Sequence, residues 1–344
     1  SVTTADIALS AGSADDRLSI TVNGDVDAAF TATKLDALLS LDGKTSETID
    51  ASEVTSVSGT YAKLSALYAA GEAGTISGLG DEAVTVSSPI LVVEANTVAS
   101  KTIGVVTASM SNTNLADYAA LTETDNAYTI TLNDASVDAS ALRALDAKTT
   151  VAFTATSMTS LSGSYADVLA VLNSAGVTTS STADAIALTI TGSISVAEAN
   201  TLDGLTEVGV VTATISTSDM ASLAASSGTH AYSITVTDSS VDAADLNTLA
   251  GKTSVDVNAS AVTTLTGGTD DVADFSTAYG GGSGISGLGN EAITITGSLT
   301  AAQANTLAAL TTGVVTAIVD LDTADDSVTT ADIALSAGSA DDRL

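Results

Sequence analysis

The sequence predicts an α/β chain: a right-handed β/α solenoid with one continuous parallel sheet, made of coils of about 22 residues grouped in fours. Three observations carry this expectation. Tyr128–Thr149, YTITLNDASVDASALRALDAKT, returns 104 residues later as Tyr232–Thr253, YSITVTDSSVDAADLNTLAGKT. Each copy reads as an alternating strand, a turn and a short helix closed by Lys-Thr. The 344 residues are 45% hydrophobic but only 3% aromatic, with no Trp, which is material for a thin core.

The repeat runs through the whole chain. Lys44, Lys148 and Lys252 lie 104 residues apart. Ala95-Asn96, Ala199-Asn200 and Ala304-Asn305 are spaced by 104 and 105, and Gly104–Ala108, Gly209–Ala213 and Gly313–Ala317, each GVVTA, by 105 and 104. Ser77-Gly78-Leu79-Gly80 returns two periods on as Ser286-Gly287-Leu288-Gly289. These markers divide a single continuous solenoid, 1–344, into long repeats at about 1–83, 84–187 and 188–292, with a partial one at 293–344.

Four coils are readable in the best-formed repeat. The first is a strand at 187–193 and a helix at 196–202. The second is a strand at 210–215 and a helix at 219–223. The third is Tyr232–Thr253. The fourth is a strand at 255–259, a second short one at 262–265, a longer helix and a glycine-rich return. Ile190, Val211, Ile234 and Val255 mark the strands at steps of 21, 23 and 21 residues, and the fourth coil takes 38, to Ile293. Period-two alternation turns Ile190, Ile234, Val236, Val255 and Val257 inward. Thr189, Thr191, Ser233, Thr235, Thr237 and Asp256 then face outward, where threonines can pair with threonines on the next rung.

The helices start as helices should. Ser195 with Glu198 and Thr300 with Gln303 fit a capping box; Ser216 with Asp219 and Ser239 with Asp242 are weaker versions. Lys44, Lys148 and Lys252 sit where the helix dipole favours a cation. The fourth-coil helices should begin near Tyr61, Tyr165 and Thr269 and be longer than the rest. Their buried stripes should be Leu64, Leu67 and Tyr68; Val168, Val171 and Leu172; and Val272 with Phe275, broken by Ser276.

Charge narrows the function. The net charge is −32, from 41 acidic and 9 basic residues, which disfavours nucleic acid and anionic lipid as partners. No cysteine is present, so disulfides and thiolate-bound metals are excluded. No apolar run approaches the roughly 18 residues of a membrane span, and no signal peptide opens the chain.

The coil spacing is similar to that of leucine-rich repeats, and LTEVGVVTATISTSDMASLAA from Leu205 is the nearest likeness. Most coils lack that family's asparagine ladder, and small residues replace many leucines. Composition and repeat style also resemble the giant tandem-repeat proteins secreted onto bacterial surfaces, those of cyanobacteria included. Ser327–Leu344 duplicates Ser1–Leu18, SVTTADIALSAGSADDRL, at an offset of 326 residues. That duplication points to a unit of higher order, with Ser1 a cut within a longer chain. The resemblance implies an extracellular, acidic structural protein of the cell surface that self-associates into a filament or layer. The alternative it implies is the stalk of a calcium-dependent adhesin.

Little in the chain reads as chemistry. His230 is the single histidine; in the polar connection SSGTH it is expected to be an exposed loop residue, and no zinc site or catalytic triad has the material it needs. No pair of carboxylates stands out, so no catalytic or cofactor-binding residue is expected. Calcium is the one cofactor with candidate ligands: Asp320, Asp322, Asp325 and Asp326, with Asp15, Asp16, Asp341 and Asp342 flanking the duplicated ends. The glycine-aspartate calcium nonapeptide is absent, and Gly280–Gly284 lacks its aspartate. A flat row of outward threonines could order water as ice-binding solenoids do, but Asp50, Asp256 and Asn258 interrupt the rows.

Overall fold

A computed structural model of the chain describes residues 20–21, 30–179, 186–205 and 209–319. The fold is mixed α/β and falls into two compact units, Ser1–Thr159 with Ala170–Ala183, and Ser160–Leu169 with Asp184–Leu344.

In the first unit Ser56–Gly59, Ala83–Val86, Val106–Ser109 and Ala127–Thr129 form a sheet in chain order. All its strand pairs are parallel. Parallel neighbours in chain order require a crossover between them. The helices Tyr61–Ala73 and Val92–Ala99 and the 3₁₀ turn Leu115–Ala120 supply it. Two short parallel pairs form separate two-stranded sheets, Ile49–Asp50 with Ile76–Ser77 and Phe153–Thr154 with Val177–Thr178.

The second unit repeats the scheme. Ser160–Gly163, Ala187–Ile194, Val211–Ile215 and Ala231–Ser233 are parallel neighbours in chain order. So are Ser240–Asp242, Thr264–Gly268, Ala292–Leu299 and Val315–Val319. Val257–Asn258 pairs in parallel with Ile285–Ser286.

Register follows the alternation. Val57, Val84 and Val106 stack through successive pairs, as do Leu161, Leu188 and Val211, and Leu265, Ile293 and Val315; every one is at most 2% exposed. On the opposite face Thr85 pairs with Thr107, Thr189 with Thr212, Thr266 with Thr294, and Thr294 in turn with Thr316. The inward placement holds for Ile190, Ile234, Val236 and Val257, and the outward one for Thr189, Thr191, Ser233, Thr235, Thr237 and Asp256.

Val255 is a correction: it is 41% exposed. Its place inside is taken by Thr253, whose hydroxyl accepts from Tyr232 N at 3.1 Å, donates to Tyr232 O at 2.6 Å and accepts from Val255 N at 3.1 Å. The inner position is held by a polar clasp, and the chain turns out before re-entering at Val257. Thr149 makes the same clasp on Tyr128, leaving Val151 40% exposed.

The capping boxes at Ser195/Glu198 and Thr300/Gln303 are formed. The weaker pair is read differently by the structure: Asp219 and Asp242 are themselves the N-caps, accepting from Ser222 N and from Ala244 and Asp245 N. A carboxylate one step before the helix accepts free amides as well as a serine does, with the dipole in its favour. Helices begin at Tyr61 and Tyr165, and a 3₁₀ turn at Thr269 leads into Val272–Ala278. Only the first, of 13 residues, exceeds the usual length; the others have 8 and 7. No helix among the described residues is long and apolar enough to cross a membrane.

Candidate functional site

Polar side chains buried in a thin apolar core need partners, and here they gather at three places. Two are copies of one turn. After Tyr61–Ala73 the chain reads Ser77-Gly78-Leu79-Gly80-Asp81-Glu82, and Glu82 enters the core with 0% exposure. Its Oε1 accepts from the Tyr68 hydroxyl, and its Oε2 accepts from Gly80 N at 2.7 Å. Two periods on, Glu291 is 2% exposed; its Oε2 accepts from Tyr279 Oη at 3.0 Å, Gly289 N at 2.7 Å and Asn290 N at 3.1 Å.

The chain 20 residues further on locks onto the same turn. Thr102 and Thr311 donate their hydroxyls to the Glu82 and Glu291 carbonyls at 2.6 and 2.7 Å. Each threonine oxygen also accepts from the amide of Gly104 or Gly313 at 2.9 Å. A Cβ on either glycine would stand 2.3 Å from that glutamate carbonyl oxygen, so the GVVTA motif opens on glycine to admit the neighbouring backbone. Gly78 and Gly287 answer a second demand: φ is +79° and +89°, and a Cβ would press on Ser52 or Ser260. Burial, then the bonded glutamate, raises the Tyr68 hydroxyl far above the usual tyrosine range; Tyr279 is raised in the same way by burial and the Glu291 charge.

The third place overturns the expectation for His230. It is 7% exposed. Its Nδ1 accepts from Val211 N at 3.3 Å, so the hydrogen sits on Nε2, which donates to Asp203 Oδ1 at 2.7 Å. Ser227 Oγ donates to Asp203 Oδ2 at 2.6 Å, and the imidazole edge meets the Tyr232 ring at 5.2 Å. The Ser227 hydroxyl, and less strongly the His230 ring, hold the Asp203 carboxyl below the usual carboxylate range, against the opposing effect of its partial burial. Serine, histidine and aspartate therefore meet, but not as a proton relay. The serine bonds the aspartate, and the basic ring nitrogen is occupied by a backbone amide.

Asn126, 104 residues earlier, identifies what this position does: it is 4% exposed and its Oδ1 accepts from Val106 N at 2.8 Å. Both side chains supply the acceptor that the preceding strand lacks. Asn96 and Asn200 do related work between helix and next turn. Their Nδ2 groups donate to Ala120 and Ala225 O at 2.7 and 2.8 Å, and their Oδ1 atoms accept from Thr122 and Ser227 N. The repeat spacing marks both asparagines in the sequence; their role is visible only once the next turn is placed beside them.

Asp320, Asp322, Asp325 and Asp326, and Asp15, Asp16, Asp341 and Asp342, lie outside the described residues. Among the described residues no three His, Cys, Asp or Glu side chains cluster as metal ligands. No family model, curated protein or solved structure matches the chain.

Proposed function

We propose that the chain is a structural repeat segment of a long extracellular filament or cell-surface layer protein. Its coils stack as a solenoid and assemble further through lateral contacts. The observation that supports this reading is the reuse of one fastening device at repeat spacing: the Glu82 turn with its Tyr68 and Thr102 partners, and the Glu291 turn with Tyr279 and Thr311. In each of the three places described above, the buried polar side chains join one strand, helix or turn to the next. A chain whose interior polarity serves coil-to-coil attachment is suited to extension by further coils.

Electron microscopy of the native material tests the proposal. At about 4.8 Å per coil, twelve coils advance about 58 Å for each 326-residue unit. Fibres or sheets with that axial repeat are the expected result. Stalks with a distinct tip that soften in a chelator would favour a calcium-dependent adhesin instead. Dispersed compact particles would refute both.

A further inference from the structure

The three long repeats act as controls on one another, and one surface departs from the pattern. The helix Val92–Ala99 is preceded by Leu91, where the corresponding helices have the capping residues Ser195 and Thr300. Val93 stands where they have Ala197 and Ala302. Leu91 is 47% exposed and Val93 66%. The substitutions give up a hydroxyl cap and place two aliphatic side chains in solvent, against the local rules the other copies obey. Glu94 Oε2 still accepts from Leu91 N at 2.8 Å, as Glu198 and Gln303 do in the other copies, and the missing hydroxyl is answered from outside the helix by Asn112, whose Oδ1 accepts from Val92 N at 3.0 Å.

These residues line a groove of about 350 Å³, closed by Asn96, Asn112, Asp117 and Ala120. That volume is at the small end for a binding cleft. The groove has an apolar lip and one exposed acid. Asn112 Nδ2 donates to Asp117 Oδ2 at 3.1 Å, and both side chains line the groove. No lining residue is cationic. A second copy of a chain with net charge −32 would meet electrostatic repulsion here.

We propose that this groove is a docking site for a basic, aliphatic peptide segment of another protein. Leu91 and Val93 take up its aliphatic side chains, and Asp117 pairs with its Lys or Arg. Such a partner would also relieve the repulsion between acidic chains lying side by side.

The test titrates the full 344-residue chain with the peptide acetyl-Leu-Arg-Leu-Arg-Leu-amide, followed by amide chemical shifts, with a Leu-Glu-Leu-Glu-Leu peptide as control. The variant Leu91→Ser with Val93→Ala installs the residues of the second repeat and should keep the fold, verified by circular dichroism. Saturable binding of the arginine peptide is expected, with shifts confined to residues 91–120. Affinity should fall at least about tenfold in the double variant, and about fivefold in Asp117→Asn at low salt. Equal binding by wild type and double variant, equal binding of the glutamate peptide, or no binding would overturn the proposal. Sedimentation showing self-association that the double variant loses would overturn it in favour of a second copy.

Discussion

The tyrosine–glutamate pair invites a test that the chain has half performed itself. Tyr68 and Glu82 have Leu172 and Ile186 at the corresponding positions of the middle repeat, whereas the third repeat keeps Tyr279 and Glu291. Both polar members change together. Glu82→Ile alone leaves the Tyr68 hydroxyl, on a side chain 6% exposed, and the Gly80 amide without an acceptor. Each should cost about 1–3 kcal/mol. Tyr68→Leu alone strips a fully buried carboxylate of one of its two partners, a loss of about 3 kcal/mol or more. The double variant removes both groups, leaves only the half-buried Gly80 amide to find water, and should cost about 1–2 kcal/mol. The coupling energy is therefore about 2 kcal/mol or more, favouring the pair present or absent together. Urea unfolding followed by circular dichroism gives the stabilities, and hydrogen exchange at the Ala83 and Val84 amides reports the local effect. A double variant destabilised by the sum of the single losses or more would refute the reasoning.

Three further outcomes follow from the same geometry. Gly104→Ala and Gly313→Ala should each cost about 1–3 kcal/mol, because a Cβ would lie 2.3 Å from a glutamate carbonyl oxygen; Gly43→Ala, with its nearest contact at 3.8 Å, should be neutral in the same melts. The Asp203 carboxyl is depressed in the fold, so its contribution is complete above the unfolded aspartate value near about 4 and is lost as pH falls below it. Asp203→Asn should flatten that acid limb, and an unchanged limb would show that the Ser227 and His230 bonds contribute nothing. Burial first, then the nearby Glu123 charge, pushes the Tyr128 hydroxyl up to about 12, so its contribution is complete below about pH 10 and is lost as pH climbs from there; Tyr128→Phe should lessen the alkaline loss in a pH titration of thermal stability.

What could be read from the sequence was whatever depends on nearest neighbours along the chain. Ile190, Ile234 and Val236 alternate with Ser or Thr over a few residues, so strand and inward face follow from period two alone. Ser195 and Glu198 are three residues apart and need nothing else to cap a helix. What stayed hidden depends on residues 14 to 27 positions away. His230 looks exposed because its own surroundings, Ser226 to Thr229, are polar; it is buried because Val211 offers an amide 19 residues back and Asp203 a carboxylate 27 residues back. Glu82 resembles any surface acid until Tyr68, 14 residues away, delivers a hydroxyl to it. Val255 obeys the alternation on paper, yet Thr253 holds the inner place through a clasp on Tyr232, 21 residues earlier.

The failures share a length scale. Most of the missed contacts span about 20 residues, a separation at which local pattern carries no information. The repeat itself restores part of what is lost. Where Asn126 and His230 fill one position, the shared property is a lone pair facing a strand amide, and charge is not selected. Where Tyr68–Glu82 gives way to Leu172 and Ile186, the property is joint polarity or joint apolarity, since a single partner left buried would be the costly state. Comparing copies within one chain thus separates residues chosen for their own turn from residues chosen for the next. By that criterion Leu91 and Val93, which serve neither, mark a surface open to a partner outside the chain.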